Sequence, residues 1–279
     1  MIVNIEDKHL RECCDKISSI LSDMGSVGVA FSGGVDSTLL LKLAHEVLGE
    51  KAVAITVTSN LFPKREYEET IAFCDREGIE HVICELDVLE NKEFAANPAN
   101  RCYICKKQIF SEITSVANDK GLNHVIEGSN ADDVRDYRPG MAAIKELAIE
   151  SPLLLAGLTK DDIRKLSKLY GLETWDKPAY ACLATRIPYG DAITSEKLSL
   201  VERGENLLIS MGFKQIRVRL YDKMARIEIL PEQFEQIMKE EVRDRVVKEF
   251  KSYGCDYVAL DLRGYRQGSM NVGINEESE

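Results

Sequence analysis

Three groups of residues in this chain have types and spacings that could do chemistry. The first is Ser32-Gly33-Gly34-Val35-Asp36-Ser37. Adjacent glycines permit positive φ and let the backbone approach a ligand closely. The apolar run from Val27 to Phe31 precedes them, and an apolar-periodic run from Thr38 to Leu48 follows. Strand, glycine turn and helix start make an anion site, because free N–H groups and the helix dipole both favour negative charge there. Asp36 or Ser37 could cap that helix, and Asp36 could also orient magnesium or phosphate. An ordinary capped Gly-Gly turn is the competing reading. The second group is Arg101-Cys102-Tyr103-Ile104-Cys105-Lys106-Lys107. Cys102 and Cys105 share one face of a helix start, among cations that favour thiolates; a zinc site or a redox pair is the alternative. The third is Cys182 with Arg186, in a proline- and glycine-punctuated stretch, joined by Arg217, Arg219 and Arg226 further on. Guanidinium groups alternating along a strand could clamp a phosphate, or they could be a solvated strand face.

These groups need elements to hold them. A helix is expected over His9–Met24, with Cys13 and Cys14 as core thiols. A buried strand over Ala52–Val57 should end beside the glycine loop, so that Thr56 and its neighbours could touch adenine or ribose. Pro63 starts a helix to Arg76 that Gly78 closes. A strand over Glu80–Leu86, a helix over Arg101–Val116 and a strand over Leu122–Ile126 follow, with Cys74 and Cys84 packed inside. The last strand leads into Glu127-Gly128-Ser129-Asn130-Ala131-Asp132-Asp133. There Asp132 and Asp133 could orient magnesium-bound pyrophosphate, or could be solvated turn carboxylates. Thr159, with Asp162 three residues on, caps a helix to Tyr170. Strands alternating with helices predict an α/β domain over 1–178, a mostly parallel sheet with helices on both faces. Residues 179–279 have another rhythm: a helix over Ser195–Met211, strands over Gln215–Leu220 and Ala225–Leu230, a helix from Pro231 to Lys251 and a strand over Tyr257–Asp261. That is a smaller α+β domain.

The chain has 279 residues and a net charge of −11, which argues against a general nucleic-acid binder while leaving room for a local basic pocket. Its apolar stretches are strand-sized, so no membrane span is expected, and the mixed, charged N-terminus reads as no signal peptide. Eight cysteines are then thiols or ligands of a cytoplasmic protein rather than disulfides. The acidic end Asn275-Glu276-Glu277-Ser278-Glu279 is expected to fray.

The glycine loop lacks the spacing and lysine of a Walker A motif. It resembles the SGGxDS pyrophosphate loop of the N-type ATP pyrophosphatases, which implies attack of a substrate oxygen on the α-phosphate of ATP. Taken with Arg101-Cys102-Tyr103-Ile104-Cys105-Lys106, Gly128 to Asp133, Asp136-Tyr137-Arg138-Pro139-Gly140, Cys182-Leu183-Ala184-Thr185-Arg186-Ile187-Pro188-Tyr189-Gly190 and Arg217-Val218-Arg219, the chain resembles the ATP-dependent sulfur transferases that build the nickel-pincer nucleotide. The resemblance covers nearly the whole chain. It implies adenylation of a carboxylate of pyridinium-3,5-biscarboxylic acid mononucleotide, then displacement of AMP by sulfur. By position it implies nucleotide contacts at Ala30, Ser32, Gly33, Gly34, Asp36, Ser37, Thr56, Gly128 and Asp132, with magnesium. It places the sulfur at Cys182, the substrate phosphate at Arg186, Arg217 and Arg219, and metal-site carboxylates at Glu205 and Glu228. Cys102, Cys105 and Cys182 match the family's three-cysteine type, in which a 4Fe-4S cluster has one iron free of protein ligands; a fourth ligand for structural zinc is not evident. In the other type the cysteine at position 182 gives up its own sulfur. A small-molecule nucleotide substrate and a homo-oligomer are implied. A tRNA thiolase, an ammonia-using synthetase of the same fold and a non-catalytic nucleotide or sulfur-carrier protein are the competing classes.

Overall fold

A computed structural model describes residues 5–135, 140–178 and 182–266. The expectations for Asp136 to Pro139 and for the acidic C-terminal end lie outside the described residues. Contacts divide the chain into two compact units, Met1–Asp87 with Cys102–Tyr180, and Val88–Arg101 with Ala181–Glu279.

The first unit runs α1 (Lys8–Met24), β1 (Val27–Ala30), α2 (Val35–Leu48), β2 (Ala52–Thr58), α3 (Lys64–Glu77) and β3 (His81–Glu85). After a short helix α4 (Lys92–Ala95) that belongs to the second unit, it continues with α5 (Arg101–Asp119), β4 (His124–Ile126), α6 (Gly140–Glu146), α7 (Pro152–Ala156) and α8 (Lys160–Leu169). The four strands are parallel, in the order β3-β2-β1-β4. Alternation along them splits two cores. Val27, Val29, Ala52 and Ala54 pack with α1, α2, α7 and α8, whereas Val53, Ile55, Val57 and Val125 pack with Phe110 and Ile113 of α5 and Ile144 of α6. Helices therefore cover both faces, as the alternation of strands and helices predicts. The chain lays β2 and β3 to one side of β1 and β4 to the other. The carboxyl ends of β1 and β4 thus flank a topological switch point, where open α/β sheets bind ligands.

One expectation at that point is corrected. Neither Asp36 nor Ser37 caps α2. The N-cap is Gly34, extended at ψ 164° and without a side-chain cap bond. Ser37 lies inside the first turn, and its Oγ donates back to the Gly34 carbonyl at 3.2 Å. The cap of α8 is as expected: Thr159 and Asp162 form a reciprocal capping box.

The second unit contains α9 (Ser195–Ser210), β5 (Arg217–Tyr221), β6 (Met224–Glu228), α10 (Phe234–Met238), α11 (Glu240–Ser252) and β7 (Tyr257–Leu260). β5 and β6 form an antiparallel hairpin, and β7 lies parallel to β6 at the edge. The expected single helix after Pro231 is two, because Lys239 adopts an extended ψ of 135° between them. Sequence reasoning leaves residues 88–101 with the first domain, whereas contacts group them with the second. Phe94 is buried there, and Ile193 N donates to the Ala95 carbonyl at 2.8 Å.

Candidate active site

In the first unit the glycine loop is built to leave its amides open. Gly33 sits at φ 68°, and a Cβ there would come within 3.0 Å of the Thr70 methyl. The Ser32 and Ser37 hydroxyls lie 3.1 Å apart and fold over the loop's own backbone. The first N–H groups of α2 have neither an intrahelical acceptor nor a capping side chain, which is the arrangement that receives phosphate oxygens.

The loop after β4 closes against it. A Cβ on Gly128 would lie 3.0 Å from Ser37 N and 3.1 Å from the Asp36 Cβ. Only a bare backbone fits so near. Two residues on, Asn130 Nδ2 donates to Asp36 Oδ1 at 3.3 Å. The other carboxylate oxygen of Asp36 is paired with Lys160 Nζ. The Lys160 backbone N–H donates to Asp132 Oδ2 at 2.8 Å. Asp36, Asn130, Asp132 and Lys160 therefore meet at one place, from three separate segments. A further lysine, Lys177, donates to the Gly33 carbonyl at 2.9 Å and pairs with Glu69. Beneath the loop, Glu127 accepts from Ser129 N at 3.0 Å, from Ser129 Oγ at 2.9 Å and from Ser151 Oγ.

The Thr56 hydroxyl is engaged within the sheet. It is buried, donates to the Phe31 carbonyl at 2.7 Å and lies 2.8 Å from His81 Nε2. It secures β1 to β2 directly before the glycine loop. Burial holds the His81 imidazole below its ordinary value.

Cys102 is exposed and Cys105 half-buried, in the first turns of α5. The cations around them serve other partners. Lys107 lies 3.1 Å from both Tyr103 Oη and Glu146 Oε2, and its pKa is raised by the Tyr103 hydrogen bond first and by Glu146 second. The Lys106 stem packs along Gly140.

In the second unit, Cys182 precedes a single 3₁₀ turn, Leu183–Arg186. Its carbonyl accepts from Thr185 Oγ1 at 2.7 Å and from Arg186 Nη1 at 3.0 Å. Arg186 is 1% exposed and grips Glu205 with two bonds, Nε to Oε1 at 2.8 Å and Nη2 to Oε2 at 2.9 Å. Arg219 does the same to Glu228, at 3.1 and 3.0 Å, and its Nη1 donates to the Thr185 carbonyl at 3.0 Å. Arg219 stands directly opposite Arg226 in the hairpin, a like-charge pairing that is unfavourable alone. Glu228 resolves it by also accepting from Arg226 Nη2 at 3.0 Å. Arg217 is buried as well, over the Tyr265 ring at 5.1 Å. Burial depresses its pKa, and the nearby Arg186 charge adds to the shift. The arginines are thus an interior cluster and not a solvated strand face.

A family model described as NAD synthase matches residues 9–101. The pyridinium-3,5-bisthiocarboxylic acid mononucleotide synthase of Lactiplantibacillus plantarum is 36% identical over 252 residues, 90% of this chain and 91% of that protein. The chain belongs to that family. It is an ATP-using sulfurtransferase with the PP-loop fold, as the motifs imply. An uncharacterized protein of Synechocystis sp. is 42% identical over 92% of this chain and 96% of its own length. A GMP synthase of Aeropyrum pernix is 25% identical over 69% of this chain and 41% of that protein.

For a member of this family the cysteine environments are informative. Cys13, Cys14, Cys74, Cys84 and Cys255 are buried, while Cys102, Cys105 and Cys182 are not. Burial raises the pKa of every one of the five, to about 12 for Cys14 and Cys74. These are inert thiols, and the three reached by solvent are the chemically available ones. They suit thiolate ligation by type and exposure. Among the described residues no three His, Cys, Asp or Glu side chains form a ready metal group. Glu205 and Glu228, expected as metal carboxylates, are both engaged by arginines.

Sequence reasoning missed Lys160, Lys177 and Asn130. A signal for Lys160 existed. A lysine at the first position of a helix opposes the macrodipole, so its presence beside the Thr159 cap asks for an anionic partner.

Proposed function

We propose that this enzyme adenylates a carboxylate of pyridinium-3,5-biscarboxylic acid mononucleotide and replaces the activated oxygen with sulfur. The observation that carries the proposal is the convergence of Asp36, Asn130, Asp132 and Lys160 on an uncapped Ser-Gly-Gly helix start, in a chain so similar to the Lactiplantibacillus plantarum synthase. The α2 amides and the loop from Ala30 to Ser37 hold the β- and γ-phosphates. Gly128 gives the backbone room for them. Asp36 and Asp132 orient magnesium, and Lys160 leaves Asp36 for the phosphates as charge develops on the departing pyrophosphate. A ring carboxylate oxygen bonds to the α-phosphorus, and the bond to pyrophosphate breaks. Sulfur then bonds to the carboxyl carbon, and AMP departs with the original oxygen.

In the second unit Arg186, Arg217 and Arg219 receive the substrate phosphate. Glu205 and Glu228 hold the guanidinium planes of Arg186 and Arg219 in place rather than binding a metal. Cys102, Cys105 and Cys182 would hold a 4Fe-4S cluster, which supplies an iron able to carry sulfide. With no cluster, the Cys182 side chain is the donor: its thiolate displaces AMP to give a thioester, and loss of the Cα proton with cleavage of the Cβ–S bond then leaves the thiocarboxylate and dehydroalanine. The GMP synthase and NAD synthase similarities favour an ammonia-using synthetase as a second reading; the three accessible cysteines weigh against it. Eight thiols with no disulfide among the described residues are in keeping with a cytoplasmic enzyme.

The test is anaerobic turnover with ATP, magnesium, sulfide and the biscarboxylate mononucleotide. Pyrophosphate release that depends on the mononucleotide, with a product in which oxygen has been exchanged for sulfur, is the expected result. Pyrophosphate release only with ammonia, giving an amide, overturns the sulfur reading. Iron per chain and the intact mass after turnover separate cluster from sacrificed side chain.

A further inference from the structure

Asn97 and Arg101 form a buried network in the second unit that the proposed chemistry does not use. Asn97 is 0% exposed and sits in the left-handed region at φ 60°. Its Nδ2 donates to the carbonyls of Pro188 at 2.6 Å, Asp191 at 2.9 Å and Ile187 at 3.4 Å. Its own carbonyl accepts from Gly190 N at 3.0 Å. Its Oδ1 accepts from Arg101 Nη1. Arg101 is 3% exposed; Nη1 also donates to the Ile187 carbonyl at 3.4 Å, and the guanidinium stacks 4.0 Å over the Tyr189 ring. Every residue from Ile187 to Asp191 is therefore held by these two.

The physical character of the network sets it apart from ordinary packing. A left-handed non-glycine residue carries conformational strain, which persists only where its surroundings over-determine it. A guanidinium buried on amide oxygens and a ring, with no carboxylate against it among the described residues, is tolerated only while the network stays complete. The segment so fixed is the continuation of the 3₁₀ turn that Cys182 opens. The turn itself is bound through Thr185 and Arg186 to the arginine cluster, and Arg186 Nη1 reaches back to the Cys182 carbonyl. Arg101 is also the first residue of α5, and Cys102 is its neighbour in the chain.

We propose that Asn97 and Arg101 are positioning residues that clamp the Cys182 segment for sulfur transfer. The proposal rests on the sulfur-transfer reading of Cys182. The clamp acts after carboxylate activation, so its loss uncouples the two halves of the reaction.

The test uses Asn97→Gly, which keeps the left-handed backbone and removes the amide, and Arg101→Lys, which keeps the charge and removes the planar fork. In the full-length protein two quantities are read: the iodoacetamide alkylation rate at each cysteine by peptide mass, and product formed per pyrophosphate released. Both variants are expected to speed alkylation of Cys182 about fivefold, leaving Cys14 and Cys74 protected. Product per pyrophosphate should fall about tenfold, equivalent to about 1.4 kcal/mol. Wild-type alkylation with a wild-type ratio overturns the clamp. So does acceleration at all cysteines together with a parallel fall in product and pyrophosphate, which is general loosening. If the wild-type enzyme itself makes no sulfur product, the functional reading has failed, and Cys182-selective alkylation alone decides the clamp.

Discussion

Asp36 shows what a residue's type can and cannot reveal. A carboxylate at the start of a helix, in a glycine loop, announces phosphate or magnesium chemistry. It does not announce Lys160, which lies 124 positions away and is paired with it. The pair is 34% and 23% exposed, so its worth to folding is about 0–1 kcal/mol. Its worth to catalysis is larger, because a cation that passes from Asp36 to the departing pyrophosphate stabilises the charge that develops there. Lys160→Gln should therefore lower substrate-dependent pyrophosphate release about a hundredfold, with little change in thermal midpoint. Wild-type release by that variant would exclude Lys160 from the reaction. The buried thiols act at the same scale but on stability. Burial raises Cys14 and Cys74 from 9.0 to about 12. Unfolded thiols lose their protons near 9 while the folded ones keep them. Stability contributed by the protonated thiols is thus full below pH 9 and lost as pH climbs toward 12, at up to about 1.4 kcal/mol per pH unit for each. Urea midpoints measured across that window should fall less steeply in Cys14→Ala/Cys74→Ala than in wild type; equal slopes would remove the thiols from the account.

Elements were legible in proportion to how local their signals are. The Thr159–Asp162 capping box, the Gly78 stop and the apolar strands β1 and β2 were all readable from a few adjacent residues. The short helices α4, α6 and α7 were not, since four to seven residues carry too little periodicity to be distinguished from a loop. The cap of α2 differs from expectation for a related reason: Asp36 and Ser37 are strong N-cap types, but Asn130 and Lys160 claim the Asp36 carboxylate while Ser37 turns back to Gly34 and Ser32, which leaves the amides open. That arrangement depends on the approach of the β4 loop. Gly128 permits it, since a Cβ there would meet the α2 backbone at Ser37 N. Gly128→Val should push the two loops apart and raise the KM for ATP about tenfold or more, while the parallel sheet and its circular dichroism remain. An unchanged KM would show that the β4 loop does not shape the phosphate site.

At the scale of the whole molecule the composition of the second unit depends on contacts that no local pattern carries. The sequence shows a change of rhythm near residue 178, and within 88–101 only the break Asn97-Pro98-Ala99-Asn100, which reads as the lead into the next helix. Yet those residues bring Phe94, 1% exposed, and the Asn97–Arg101 network into the later unit. A boundary drawn only where the rhythm changes therefore omits part of that unit's interior. A fragment spanning 179–279 lacks the buried Phe94 side chain, a loss of about 3–5 kcal/mol where Phe is truncated in a core. It also loses the hydrogen bonds from Asn97 to the Pro188 and Asp191 carbonyls, at about 0.5–1.5 kcal/mol each. Small units have about 5–15 kcal/mol in total. The fragment alone should therefore show no cooperative thermal transition, and one in which residues 88–101 are joined to it through a flexible linker should recover one. A fragment 179–279 that melts cooperatively, at the same temperature with and without 88–101, would mean that the segment only rests on a unit already complete.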